Sequence, residues 1–216
     1  MKAILPALLA ACWSTLAAAQ GSACLPGGAG LQEQGGAVSC DGGTVVARAG
    51  PRDGRVAKAA LIVPFERAPA GSVVAVSARF RFPADSPLDS IHLMDIECKR
   101  CGIDGNPGLR LYLRRGRLRV DRAKIDGGHA WTNDAAPRVP RGEWVRIAWR
   151  LRLGEAGRSS VRLGGVRVLD DRGRTVPGAP PADAVDRVQI GITASSNAVP
   201  VALEMRDIRV RVVRPD

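Results

Sequence analysis

Residues Gly108 to Arg122 read GLRLYLRRGRLRVDR, with leucine or valine at alternate positions and Arg110, Tyr112, Arg114, Arg117 and Arg119 in step between them. Side chains two apart on a strand share a face, so this pattern predicts two short strands around a turn at Arg115-Gly116, with four guanidinium groups beside the chain's single tyrosine. Neighbouring guanidinium groups repel unless an anion or carboxylate sits among them, and Asp95, Glu97 and Asp121 can neutralise only part of the set. Arginine grips carboxylate or sulfate through paired hydrogen bonds, and a tyrosine ring offers a plane on which a sugar can stack. A polyanionic saccharide fits that chemistry. The same arginines would also serve as a solvated sheet face that discourages edge pairing.

Other chemistries find less support. His92 lies on a candidate strand, whereas His129 lies in the loop DGGHAWTND, where it reads as a solvated or substrate-contacting residue. Cys98 and Cys101 frame C-K-R-C, a spacing also used in thioredoxin-like redox motifs, but no βαβ pattern surrounds it and a structural staple is expected. Neither histidine stands at ligand spacing from the cysteines, so no zinc site is expected. The IDGNPG turn is too poor in carboxylates for a calcium loop. No G-x-S-x-G elbow accompanies the two histidines, which argues against serine hydrolase chemistry. No metal and no cofactor are expected. Nucleic acid is a polyanion too, but one tyrosine and no platform of several aromatics argue against it.

The chain has 216 residues and a formal net charge of +11, and arginine supplies 28 of its 32 basic residues. Abundant arginine, alanine, glycine and proline are what a GC-rich genome produces without selection for a partner. Codon bias does not, however, place arginines on one face of a strand. The opening MKAILPALLAACWSTLAAAQ predicts an export signal over residues 1–19, with Ala17-Ala18-Ala19 before Gln20 as the small-x-small cleavage site. A second parse takes Leu9-Ala10-Ala11-Cys12 as a lipobox with Cys12 lipidated, which leaves a short apolar region. No later run approaches the roughly 20 apolar residues that span a bilayer. A periplasmic or secreted protein is expected.

Beyond Cys12 the chain keeps Cys24, Cys40, Cys98 and Cys101, an even number that predicts two disulfides in an oxidising compartment. Three connectivities are open. Cys24 with Cys40 and Cys98 with Cys101 is the favoured pairing, since each closes a short loop within its own segment.

The elements that must position these groups are all strands. Helical periodicity is absent after residue 19, and apolar residues alternate with period two between glycine, proline and aspartate. Strands are predicted at Val74 to Phe82, Ile91 to Cys98, Leu109 to Leu113, Leu118 to Val120, Trp144 to Leu153, Ser160 to Leu163, Val166 to Asp170, Val188 to Thr193 and Ile208 to Val213. Arg146 to Arg152 repeats the arginine alternation of the hairpin. Pro26 to Gly36 and Gly173 to Asp183 read as flexible loops. Short strands joined by turn-rich loops indicate a two-sheet sandwich or a barrel. One domain is expected after the signal: residues 20–71 supply a disulfide and the first strands, and residues 72–216 supply the remainder.

From residue 72 to 214, the order VAVSARFRFPADSPLDSIHLMDIE, PGLRLYLRRGRLRV, PRGEWVRIAWRLRL, SSVRLGGVRVLDD, RVQIGIT and VALEMRDIRVRV resembles the concanavalin A-like lectin/glucanase jelly roll. More narrowly, it is similar to the branch of jelly-roll polysaccharide lyases and laminin G-like modules. The resemblance implies an all-β, two-sheet antiparallel sandwich. Alginate-lyase-type members carry Q-[IV]-H, which Ser90-Ile91-His92 matches at two positions, implying that His92 neutralises a uronate or moves a proton. Their K-x-G-x-Y strand finds only Gln189-Ile190-Gly191-Ile192-Thr193, without the lysine or the acid/base tyrosine, and threonine has neither the acidity nor the reach of a phenol. Glucanase-type members use E-x-D-x-E. Leu93-Met94-Asp95-Ile96-Glu97 has leucine at the nucleophile's place, so Asp95 and Glu97 are expected to pair with arginines.

Together these features point to a noncatalytic module that binds acidic polysaccharide, uronate or sulfated, through Arg110, Tyr112, Arg114, Arg117 and Arg119. The alternative is a polysaccharide lyase acting by β-elimination, with Tyr112 as acid and base and His92 or Arg110 neutralising the uronate.

Overall fold

A computed structural model describes residues 24–102, 104–178 and 182–215. The expected export signal, its cleavage site and the lipobox at Cys12 lie outside the described residues. Thirteen strands run in the order β1 (Gly30–Gln34), β2 (Gly36–Asp41), β3 (Thr44–Ala49), β4 (Ala57–Pro69), β5 (Val73–Arg81), β6 (Ile91–Glu97), β7 (Gly108–Arg114), β8 (Arg117–Asp121), β9 (Val145–Arg152), β10 (Gly157–Leu163), β11 (Val166–Gly173), β12 (Ala184–Ser195) and β13 (Val201–Val213). Among the described residues the one helical turn is the 3-10 turn Ala123–Ile125.

The strands form two antiparallel sheets. One has six strands in the order β1-β4-β12-β6-β7-β8, and the other has seven in the order β11-β10-β9-β5-β13-β3-β2. Their inner faces enclose a hydrophobic cluster that includes Phe80, Phe82, Leu93, Met94, Leu111, Ile147, Trp149, Ile190 and Met205. Alternation along β5 and β7 sends Val74, Val76, Ala78, Phe80, Leu109, Leu111 and Leu113 into that cluster and leaves the residues between them on the outer faces. This is the predicted all-β sandwich. The β7–β8 hairpin turns at Arg115 and Gly116, both with positive φ (51° and 76°), as a tight two-residue connection requires.

One expectation fails at the amino end. Pro26 to Gly36, read as a flexible loop, contains β1, which pairs along β4 from Gly30 opposite Ile62 to Gln34 opposite Lys58. Glycine and glutamine give no strand signal, and the partner strand supplies the order. In the other expected loop β11 ends at Gly173, but Thr175 and Val176 are buried. Cys24 is paired with Cys40 and Cys98 with Cys101. Two disulfides fit an oxidising compartment. No helix among the described residues is long and apolar enough to cross a membrane.

Candidate functional site

The outer face of the six-stranded sheet gathers the chemically capable groups. Cross-strand pairing sets His92 opposite Tyr112, Asp95 opposite Arg110, Arg110 opposite Asp121 and Tyr112 opposite Arg119. Strict alternation would put His92 and Asp95, three residues apart, on opposite faces. A β-bulge between His92 and Met94 absorbs one residue and brings both to the outer face. The imidazole and the Tyr112 ring lie 5.6 Å apart between centroids, inclined at 51°. His92 Nδ1 and Arg110 Nε are buried with no hydrogen-bond partner.

Burial, reinforced by the Arg110 charge, lowers the His92 pKa to about 4. The ring is therefore neutral near pH 7. It can donate or accept a hydrogen bond, but it carries no charge with which to neutralise a uronate.

Asp95 and Glu97 both point to the outer side of β6, and the expected arginine pair forms at Glu97 but not at Asp95. Asp95 is 5% exposed and accepts a hydrogen bond from Thr193 Oγ1 at 2.8 Å. Burial, together with the nearby Glu97 charge, raises its pKa to about 6. Glu97 does pair with an arginine, receiving Arg187 Nε at 2.8 Å, with Lys124 Nζ at 3.5 Å and Gln189 Nε2 also donating. Gln189 and Thr193 thus bond the two carboxylates from β12, where the resemblance implied a lysine and a tyrosine. Between them Gly191 adopts φ 130°, and a Cβ there would come within 2.7 Å of the Ala59 carbonyl on β4. Glycine is required by both backbone shape and strand contact.

Arg110, Tyr112, Arg114, Arg117 and Arg119 share the outer side of β7 and β8. Their guanidinium groups are more fully compensated than expected. Arg110 pairs with Asp121, Arg119 with Asp134 at 2.9 Å and Arg114 with Asp89 at 3.8 Å, while Arg117 Nε donates to the Ala136 carbonyl at 2.9 Å. Asp89 and Asp134 come from connecting segments, and nothing local in the sequence ties them to the hairpin. His129 is exposed, and its carbonyl accepts a hydrogen bond from Arg122 Nε at 3.3 Å.

Arg187 and Lys124 were not singled out from the sequence, and Gln189 and Thr193 were met there only as departures from the K-x-G-x-Y pattern. Beyond the site, Asp186 receives the backbone N–H groups of Lys99 (2.8 Å) and Arg100 (3.0 Å), fixing the Cys98–Cys101 loop at the end of β6. Among the described residues no group of three or more His, Cys, Asp or Glu side chains is placed to hold a metal ion.

No protein-family model matches the chain, and no curated protein matches it. Solved structures do. The endo-beta-1,4-glucuronan lyase of the fungus Trichoderma reesei superposes with a TM-score of 0.61 at 14% identity, over 87% of this chain and 88% of that one. Alginate lyase Aly36B gives 0.57 at 10% identity, over 83% and 84% of the two chains. Cellulose induced protein Cip1 gives 0.56 at 18% identity, over 85% and 88%. At these identities the likeness concerns the backbone, and with two antiparallel sheets of six and seven strands the chain has the concanavalin A-like jelly-roll fold found in these polysaccharide lyases and in Cip1.

Proposed function

We propose that the outer face of β6, β7 and β8 recognises an acidic polysaccharide and that the chain is an exported, noncatalytic carbohydrate-binding module, with residues 20–71 and 72–216 forming one domain. The observation that carries this reading is the pair of orphaned polar atoms beside Tyr112. Buried polar groups are nearly always hydrogen-bonded, yet His92 Nδ1 and Arg110 Nε have no partner. A uronate or sulfate supplies the acceptor that Arg110 lacks, a sugar hydroxyl supplies a partner for the neutral imidazole, and the Tyr112 ring offers the stacking plane. Arg114, with its side chain 51% exposed and its carboxylate partner 3.8 Å away, exchanges that weak pair for a ligand anion at little cost. The named activities of the alginate and glucuronan lyases, both acting on acidic glycans, support the ligand class.

A lyase reading keeps one observation in its favour, the contact of Tyr112 with His92. Against it stand the neutral imidazole and the pairing of Arg110 with Asp121. Asp95 and Glu97 are also closed into hydrogen bonds with β12.

Calorimetric titration with polyuronates and sulfated glycans, paired with ultraviolet absorbance for unsaturated products, tests both readings. Expected are binding that weakens as salt rises, a loss of about tenfold or more for Arg110→Ala, and no unsaturated product. Tyr112→Phe should retain binding. Turnover that Tyr112→Phe lowers about 100-fold would replace the binding module with the lyase, and the absence of both binding and turnover would refute the two together.

A further inference from the structure

The arginines without carboxylate partners are concentrated on the opposite side of the sandwich. Along the outer face of the seven-stranded sheet, Ala75 of β5 lies between Arg211 of β13 and Arg150 of β9, and Ser77 lies between Arg209 and Ala148. One strand further, Ala148 is opposite Arg162 and Arg152 is opposite Arg158 on β10. The short side chains of β5 therefore form a floor that is one strand wide at Ala75 and two strands wide at Ser77, where Ala148 of β9 is also short and Arg162 of β10 forms the wall. Strands are spaced about 4.8 Å apart, so arginines on β13 and β9 stand about 10 Å from each other across that floor. This floor is part of an open groove of about 930 Å³ that continues across β10 to Arg167 and Arg172 of β11.

Its electrostatics differ from those of the six-stranded sheet. Asp170, at the β11 edge, is held by Arg158 and Arg167. Among the described residues Arg150, Arg152, Arg209 and Arg211 have no carboxylate within ion-pair distance. Four guanidinium groups in two facing rows repel one another, and an anion lying between them removes that repulsion while accepting bidentate hydrogen bonds.

We propose that this channel is a second binding site, separate from the His92–Tyr112 face, for one strand of a linear sulfated or carboxylated polysaccharide lying along β5. The occupant follows from shape as well as charge. A trough one to two strands wide along β5 admits an extended chain whose acidic groups reach both walls, and it is narrower than a nucleic-acid duplex. No aromatic side chain lines the floor to stack bases, since Trp149 on β9 is only 1% exposed and bonds inward to Ser159. A membrane surface would meet the arginine tips but would leave the trough empty.

The test compares heparin, single-stranded DNA of equal charge and phosphatidylglycerol vesicles at one fixed ionic strength. Heparin affinity should fall at least about tenfold in Arg150→Ser with Arg211→Ser, each lost charge-assisted pair being worth about that factor. The same fall should appear in an Arg110→Ala background, where the first face is already impaired, so failure of one site is distinguishable from failure of the other. Melting temperature should not change, because both side chains are exposed. Should the serine variant unfold, Arg150→Gln with Arg211→Gln keeps the side-chain stems and reads the same quantity. Heparin binding equal to wild type would overturn the proposal. So would DNA or vesicles binding as tightly as heparin and losing as much on the double substitution, which would mark an unshaped basic surface.

Discussion

His92 and Asp95 make opposite contributions to stability between pH 4 and pH 6, and removing either should expose the other. For Asp95, burial raises the folded-state pKa from 3.8 to about 6. The native state then holds a proton that the unfolded chain has released, so the stabilisation is complete below about pH 4 and is lost as pH rises through 6. For His92, burial and Arg110 lower the folded-state pKa from 6.5 to about 4. Here the unfolded chain takes up the proton first, so stability is complete above about pH 6.5 and is lost as pH falls through 4. Each displacement corresponds to about 3 kcal/mol at full development, so the wild type should show a nearly flat profile across the shared window. In Asp95→Asn, whose side-chain oxygen still accepts the Thr193 hydroxyl, stability should climb by about 3 kcal/mol from pH 4 to pH 6.5. In His92→Gln it should fall by a similar amount from pH 4 to pH 6. Urea denaturation at half-unit pH intervals measures both slopes. Parallel profiles for the wild type and both variants would show that neither group is held in the environment described.

The Glu97 network gives a second expectation. Arg187→Met leaves a carboxylate whose side chain is 2% exposed without its principal partner and should cost about 3–5 kcal/mol, much of it recovered by adding Glu97→Gln; an additive double substitution in denaturant titrations would contradict the coupling. In the core, Trp149→Phe removes the 2.9 Å hydrogen bond from the indole Nε1 to Ser159 Oγ and strands a buried hydroxyl. A loss of about 1–3 kcal/mol is expected, and Ser159→Ala in the same background should restore part of it in thermal melts.

Alternation along each strand made the sandwich legible, because a period of two declares which side chains face the core without reference to any partner. It placed β5 to β12 within a few residues and the second half of β13, put Arg110, Tyr112 and Arg114 on one face and located the Arg115-Gly116 turn, whose backbone demands are local. Short loops between cysteines likewise suggested the observed disulfide pairing. Alternation carries no information about neighbours across a sheet. Whether β1 is a strand at all depends on β4, whose paired residues Lys58 to Ile62 lie 24 to 32 positions further along the chain, and its own residues supply no signal. The bulge that brings His92 to the face of Asp95 defeats the same rule that found the strand, since one extra residue reverses every side chain beyond it. Charge compensation is also a long-range property: Asp95 is bonded by Thr193 and Glu97 by Arg187, on a strand about 90 residues later, and Asp89 and Asp134 reach the hairpin from loops. The sequence by itself determined that this chain builds two arginine-bearing sheet faces on an apolar core. Which arginines find carboxylates and which line an open trough was decided only when strands distant in the chain became neighbours, because a charge is compensated across space and not along the backbone.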